Sequence, residues 1–262
     1  AGIMIVVAQG TSIWNVGIQT AAAQNLLTVG FMDKMLGQRV SWIDWLIAGA
    51  PWAVIMSAVL LFLVLKLLPP ESNSIPGGKE AVAQSLADIG PMTGPQKRLL
   101  TVSILLLLAW ATEGRLHSFD TTSTTYAGLV LLLMPGIGVM TWKDVQSRIP
   151  WGTVIVFGVG ISLGTALLTT QAGQWLGAQV VGHTGLDQLG PLGVFAILGA
   201  FLIVIHLGFA SATALTSALL PILIAVLQTL PGDFSRLGMT MLLGFVVSYG
   251  FILPINAPQN MV

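Results

Sequence analysis

The sequence predicts an all-α integral membrane protein. Of its 262 residues, 55% are hydrophobic and 8% are charged, whereas a soluble domain carries about 25% charged residues. The mean hydropathy is +0.88, and several apolar runs are long enough to cross the ~30 Å hydrocarbon core of a bilayer as helices. Polar residues interrupt some of these runs, which predicts discontinuous helices and a re-entrant hairpin.

Composition also excludes several classes of function. The formal net charge is zero, so nothing favours nucleic acid as a partner. The chain has no cysteine, which excludes disulfides and thiolate metal sites. The sequence shows no metal-ligand spacing, no phosphate-binding loop and no intramembrane nucleophile paired with a base. We therefore expect a protein that is not an enzyme and whose main partner is the lipid bilayer of the cell's inner or plasma membrane.

Residues 1–68 begin with an apolar segment, 1–32, that polar residues interrupt between Gly17 and Asn25. The following run, 42–68, is a strong candidate for a membrane span. Three tryptophans cluster at its start, as they do in interfacial belts: Trp42, Trp45 and Trp52.

Residues 69–98 form a Pro- and Gly-rich linker with a short surface helix, and 99–262 form a second hydrophobic region. This region contains spans at 99–114, 124–140 and 151–181, a hairpin at 191–230 and a broken helix at 238–262. Because Lys and Arg concentrate in the linker and in the loop 141–150, both are predicted to be cytoplasmic. The hairpin then enters from the outer side.

The hairpin consists of two apolar helices, predicted to be of half length, around a small polar tip. Ser211 is a good N-cap for the second helix, whose free N–H groups would suit an anion. The carbonyl of Ala210, at the end of the first half, would suit Na⁺. The alternative is that these hydroxyls only join helices by hydrogen bonds. His206, on the first half, is either functional or a neutral interhelical hydrogen-bonding group.

The last ten residues form a second interruption. Pro254 and Pro258 remove backbone donors and free carbonyls that can bind a cation, and Asn256 and Asn260 add amide groups. The alternative is a proline kink with polar caps. A related segment with Thr20, Gln24 and Asn25 lies near the start of the chain and lacks proline.

Several ordered motifs resemble the divalent anion/sodium symporter (DASS) family, whose members carry dicarboxylates, citrate and sulfate. The similar stretches are 133–136, 141–145, 150–164, 209–214 and 253–260. The resemblance implies a secondary transporter with two inverted repeats, of which 1–68 would end the first and 99–262 would make the second. Both ends of the sequence lie inside apolar runs, so we expect a fragment of a longer chain.

The resemblance also implies roles for single residues. Ser211 and Thr213 match tip residues that contact sodium and substrate, whereas Ala212 replaces the tip's Asn. In the second interruption Asn260 matches, Pro258 lies in the motif and Ala257 replaces a Thr. We expect substrate contacts from Ser211, Thr213, Gln24, Asn25, Ala257, Pro258 and Asn260. We expect Na⁺ contacts, mainly through backbone carbonyls, from Ser211, Ala210, Asn256 and Thr20.

The function implied is secondary active transport of a small anion, coupled to Na⁺, by alternating access in a homodimer whose scaffold includes the Trp-rich spans. A cation/proton antiporter, an arsenite-type permease and a non-transporting fragment stay open as alternatives.

Overall fold

The computed structural model describes residues 2–69, 77–209 and 211–250, which form twelve α-helices. The helices are α1 (Gly2–Gly17), α2 (Ala23–Leu36), α3 (Trp42–Leu67), α4 (Gly78–Ile89), α5 (Gly94–Thr112), α6 (Thr121–Leu133), α7 (Trp142–Gln146), α8 (Trp151–Thr169), α9 (Ala172–Thr184), α10 (Pro191–Ile205), α11 (Ala212–Thr229) and α12 (Arg236–Val247). Five of the predicted site residues lie outside the described residues: Ala210, Asn256, Ala257, Pro258 and Asn260.

Four helical segments are long and apolar enough to cross a membrane: Trp42–Leu67, Trp151–Thr169, Pro191–Gly208 and Ala212–Thr229. The first matches the span expected at 42–68. The expected spans 99–114 and 124–140 fall in α5 and α6, and α6 stops at Leu133, just before Pro135. Proline cannot donate a backbone hydrogen bond and disfavours helix at the residue before it, which accounts for this end.

The two halves of the predicted hairpin are longer than expected. α10 continues through a 3₁₀ turn to Gly208, and α11 runs from Ala212 to Thr229, so each half has 18 residues in its apolar segment. Both segments are therefore longer than the half-length helices expected, and α11 continues through Pro221. That this pair of helices forms a re-entrant hairpin in the membrane stays a prediction, and the length of the helices does not support it.

The span expected at 151–181 is divided into α8 and α9. Gln171, between them, adopts a left-handed conformation with φ 58°. Both helices nevertheless follow α11 in one direction. A Cβ added to Gly160 would meet Ser217, one on Gly173 would meet Ala225, and one on Gly177 would meet Ala225 and Thr229.

α11 is the centre of the larger core, where it packs against α2, α8, α9 and α12. Its side chains share one buried apolar cluster with residues of α2, α10 and α12, including Leu27, Leu198, Leu220, Ile224 and Leu243. A smaller cluster joins Val16, Met32, Val40, Trp45 and Phe245. α12 therefore contributes to both clusters and connects them.

α3 packs along α1, and this contact contradicts the expected tryptophan belt. Trp45 is fully buried and Trp42 is 7% exposed, so only Trp52 has a substantial exposed surface, 44%. The backbones of the two helices meet at Gly49, where an added Cβ would lie 2.5 Å from the Val16 carbonyl oxygen. The first two tryptophans face protein because their indole N–H groups have partners there.

Candidate functional site

The first predicted interruption is present between α1 and α2. α1 ends at Gly17, a 3₁₀ turn covers Gln19–Ala21, and α2 begins at Ala23. Ile18 and Ala22, on either side of the turn, are in extended conformation. No proline forces this break, so side chains must bind the backbone carbonyls that the helix leaves free.

Asn25 supplies the first of these side chains. Its Nδ2 donates to the Asn15 carbonyl at 2.5 Å and to the Ile18 carbonyl at 3.1 Å. The side chain thus reaches back from the first turn of α2 to the last turn of α1. A single amide binds both ends of the interruption and replaces the hydrogen bonds that a continuous helix would have made.

The α3 region binds the same break from the other side. Trp45 Nε1 donates to the Val16 carbonyl at 2.8 Å, and Trp42 Nε1 donates to Thr20 Oγ1 at 3.2 Å. Gln19 Nε2 donates to the Val40 carbonyl at 3.2 Å. The broken segment is therefore fixed to α3 by two hydrogen bonds, and to the loop before α3 by a third, as well as by packing.

The break also meets the end of α12. Gln24 Nε2 donates to Ser248 Oγ at 3.2 Å, and both residues are buried. Trp52 of α3 donates from Nε1 to the hydroxyl of Tyr249, one residue further along. The chain is described as far as Gly250, so the first interruption lies beside the point from which the second was predicted to follow.

One buried oxygen at the break has no hydrogen-bond partner among the described residues. It is Oδ1 of Asn25, a residue with 0% exposure. The amide nitrogen of the same side chain is already occupied, so only an acceptor remains. An unpartnered buried acceptor is unfavourable, by about 1–3 kcal/mol, until a donor or a cation reaches it.

Any cation at this position would be bound by neutral oxygens. In the part of the chain that the structure describes, no group of three or more His, Asp or Glu residues could hold a metal ion. Amide, hydroxyl and backbone carbonyl oxygens are hard ligands that suit Na⁺ at helix breaks. Asn25 Oδ1, Thr20 Oγ1 and the neighbouring carbonyls are the described oxygens of this kind.

The predicted hairpin tip lies at the start of α11. Ser211 caps this helix as expected, because its Oγ accepts from the Ala214 N–H at 3.3 Å. Thr213 is half-buried in the first turn. Ser217, one turn further, donates to the Val156 carbonyl of α8 at 3.1 Å. Among the described residues, no hydrogen bond joins Ser211 or Thr213 to the α1–α2 break.

His206 follows α10 as its C-cap, begins the 3₁₀ turn and is 3% exposed. It therefore lies inside the protein, a short distance along the chain from the tip, as the sequence suggested. Its role stays a prediction.

A cavity of about 380 Å³, lined largely by polar residues, lies along α2 from Gln19 of the break to Asp33. Arg39, in the loop before α3, donates from Nη2 to Asp120 Oδ2 at 3.1 Å. The hydrogen bond from the Ser123 N–H lowers the pKa of the Asp120 carboxyl below its ordinary value, and Arg39 lowers it further by a smaller amount. Asp120 thereby caps α6 and joins the loop before α6 to the loop before α3.

The sequence did not indicate that Trp42, Trp45 and Ser248 contact the broken segment. The spacing of Trp45 and Gly49 held a usable signal. Residues four apart lie on one face of a helix, and a large aromatic beside a glycine on one face indicates close contact with another backbone. Ser248 gave no signal, because its partner is 224 residues away.

Helix interruptions bound by side chains, within an otherwise apolar all-α chain, define a class of protein: multi-pass membrane transporters with discontinuous helices. Comparison with known proteins gives the family. The family described as the sodium:sulfate symporter transmembrane region matches residues 1–262. The chain belongs to this family, which is made of transporters and not of enzymes, and the family expected from the sequence motifs is confirmed.

Three similar proteins illustrate the match. A protein named "Membrane protein" from Cupriavidus necator is 75% identical over 262 residues, which are 100% of this chain and 51% of that protein. Inner membrane protein YbhI from Escherichia coli is 31% identical over 88% of this chain and 47% of its own length. The L-tartrate/succinate antiporter from Escherichia coli is 29% identical over 81% of this chain and 42% of its own length. The chain thus spans about half the length of the curated relatives it matches.

Proposed function

We propose that the protein carries a small dianion, of the dicarboxylate, citrate or sulfate type, across the membrane in a Na⁺-coupled secondary transport cycle. The observation that carries this proposal is the contact between the α1–α2 break and the end of α12. Such interruptions are tolerated inside the membrane only where their polar backbone is buried in protein or lines a water-filled cavity. Two of them side by side would form one binding region rather than two separate kinks.

The chemistry of Asn25 supports a cation at the first break. We expected this residue to bind substrate, but its amide nitrogen is occupied by two carbonyls and its free atom is an acceptor. An acceptor repels an anion and attracts Na⁺. We therefore assign Asn25 Oδ1, together with Thr20, to the cation, and leave the anion to the α11 end and the second interruption.

The start of α11 supports an anion. Helix N-termini carry free N–H groups and a partial positive charge, and Ser211 accepts from only one of them, that of Ala214. Ser211 and Thr213 would add hydroxyl donors there. Cation and anion would then lie close together, so that Na⁺ offsets the charge of the dianion. Each net positive charge moved inward gains ~2.3 kcal/mol per 100 mV of membrane potential.

A second candidate is exchange without Na⁺, in which one dicarboxylate leaves as another enters. The name of the L-tartrate/succinate antiporter, a relative with 29% identity, favours it. The proposed anion site would serve either cycle, whereas Asn25 Oδ1, which has no hydrogen-bond partner among the described residues, favours the cation-coupled one.

Uptake measurements separate the two. Purified protein is reconstituted into proteoliposomes, and entry of labelled succinate or sulfate is followed with an inward gradient of Na⁺ or of choline. We expect uptake with Na⁺ and little with choline. Equal uptake with both cations, stimulated by succinate inside the vesicles, would establish exchange and contradict Na⁺ coupling. A homodimer, which the proposal also includes, would be seen as twice the protomer mass in the reconstituted sample.

A further inference from the structure

Like α5 and the five-residue α7, α4 has no buried side chain. It covers Gly78–Ile89, between α3 and α5, on the side of the membrane predicted to be cytoplasmic. Every residue from Lys79 to Ile89 is exposed. A twelve-residue helix of this kind is marginal in water by itself, so a surface that binds it would explain its presence.

The helix has two distinct faces. Val82, Leu86 and Ile89 are 70%, 68% and 74% exposed, and their spacing of four and then three residues places them in one stripe. The opposite face carries Glu80, Gln84 and Asp88. Gln84 Nε2 donates to Asp88 Oδ1 at 3.1 Å, so this polar face is organised along its own helix.

We propose that α4 lies flat on the cytoplasmic surface of the membrane, with the Val82–Leu86–Ile89 stripe inserted at the boundary between headgroups and acyl chains. The partner is a bilayer that contains anionic phospholipid. Amphipathic helices bind such surfaces by burying one apolar face at this depth. This proposal concerns a part of the chain remote from the transport site and goes beyond the proposed function.

The connection to α5 supports the assignment. Only Gly90–Thr93 separate α4 from the first residue of α5, and four residues span at most about 14 Å. α5 presents exposed apolar side chains from its second turn onward, such as Leu99 and Leu100. The stripe of α4 therefore lies a short distance along the chain from a helix that also exposes apolar side chains.

The distribution of charge supports an anionic surface. Lys79 is three residues before Val82 and lies at the edge of the apolar stripe, from which its ammonium can reach headgroup phosphates. The helix ends on either side add further cations: Lys66 at the end of α3 and Lys97 in the first turn of α5. The next residue, Arg98, donates from Nη1 to the Gly136 and Ile137 carbonyls. Clusters of Lys and Arg near membrane spans bind anionic lipids, whereas the acidic residues of α4 lie on the opposite face.

Single cysteines test this directly, since the chain has none of its own. A spin label is attached to Leu86→Cys or to Gln84→Cys in the whole chain, in nanodiscs of phosphatidylcholine and phosphatidylglycerol in equal parts. Collisions with oxygen, which concentrates in lipid, are compared with collisions with a water-soluble nickel chelate. We expect the oxygen-to-nickel ratio to be several-fold higher at position 86 than at position 84, and lower at position 86 when phosphatidylglycerol is omitted.

Two results would overturn the proposal. Equal nickel accessibility at positions 86 and 84 would place the stripe in water. Protection of position 86 from both reagents would place it against protein, either a second copy or another part of the same chain. A second variant guards against a local effect of the label. With the label at Val82→Cys, adding Leu86→Glu should shift it toward water, whereas adding Gln84→Glu should leave it unchanged. No shift with Leu86→Glu would also count against the proposal.

Discussion

Gln24 and Ser248 form a buried hydrogen bond of 3.2 Å between residues 224 positions apart in the chain. Gln24 belongs to the first turn of α2, directly after the α1–α2 break, and Ser248 caps the end of α12. The contact therefore connects one helix interruption to the helix that leads toward the other. It makes the break part of the central packing rather than a local irregularity of the first helix.

This contact predicts energetic coupling between the two helices. Gln24→Ala and Ser248→Ala should each lower the free energy of unfolding, by about 1–2 kcal/mol, because each leaves the other partner buried without its hydrogen bond. The loss of unfolding free energy in the double variant should be smaller than the sum of the two single losses, by about 0.5–1.5 kcal/mol. Chemical unfolding of the purified protein in detergent measures the cycle. Additive effects would show that the two residues do not interact. Thr165→Ala, on the exposed face of α8, serves as the control.

The indole of Trp45 should stabilise the fold through its N–H group as well as through its size. Trp45→Phe keeps an aromatic ring against Phe245, whose centroid is 5.1 Å away, but leaves the Val16 carbonyl without its donor. We expect a loss of about 1–3 kcal/mol in the free energy of unfolding. Trp175→Phe makes the same chemical change at a residue that is 65% exposed and should be nearly neutral. Equal effects of the two substitutions would contradict the claim that this hydrogen bond stabilises the fold.

The sequence was sufficient to predict the helical membrane class and the family, because composition and ordered motifs carry both. It also indicated the Ser211 cap and a polar interruption between Gly17 and Asn25, although the family resemblance, and not a proline, implied that the helix breaks there. These features depend on neighbouring residues in the chain, which a sequence displays directly.

The partners of the break could not be predicted in the same way. Trp42 and Trp45 looked interfacial because tryptophan is common at membrane surfaces, yet both are buried, and tertiary contacts decided the outcome. The hairpin helices were expected to be short because the polar tip was taken to divide the apolar region into two half-length helices, whereas each segment has 18 residues. The contacts of Ser248 exist only once α12 packs beside α2.

Thr213 should affect transport without affecting stability. It is half-buried in the first turn of α11, where its hydroxyl would contact substrate or Na⁺. We expect Thr213→Ala to raise the substrate concentration needed for half-maximal uptake several-fold, with an unchanged unfolding temperature. Thr165→Ala is the control for loss of a threonine hydroxyl. Unchanged uptake and affinity in Thr213→Ala would exclude the tip from the site.

The environment of Asp120 should make the stability of the protein depend on pH in the acidic range. Its pKa is lowered in the folded protein, chiefly by the hydrogen bond from the Ser123 N–H. The carboxylate therefore stabilises the fold above its ordinary pKa of 3.8, and this contribution is lost as the pH falls through the lowered folded-state value. Acidification below pH ~4 should thus lower the unfolding temperature less in Asp120→Asn than in the wild type. Arg39→Gln, which keeps the Ser123 hydrogen bond, should retain most of the wild-type dependence. Identical acid profiles for the wild type and Asp120→Asn would contradict the assignment.

The central claim is that the α1–α2 break forms part of a cation site through Asn25. The most direct test is the shift of the unfolding temperature when NaCl replaces choline chloride, for the wild type, Asn25→Ala and Asn15→Ala. A cation that binds only the folded state stabilises it by RT ln(1 + [L]/Kd), about 2.7 kcal/mol at a hundredfold excess over Kd. Asn15 contributes its backbone carbonyl to the break, so its side chain is a matched control. We expect a saturable upward shift with Na⁺ in the wild type and in Asn15→Ala, and no such shift in Asn25→Ala. An equal shift in all three proteins, or none in the wild type, would contradict the claim.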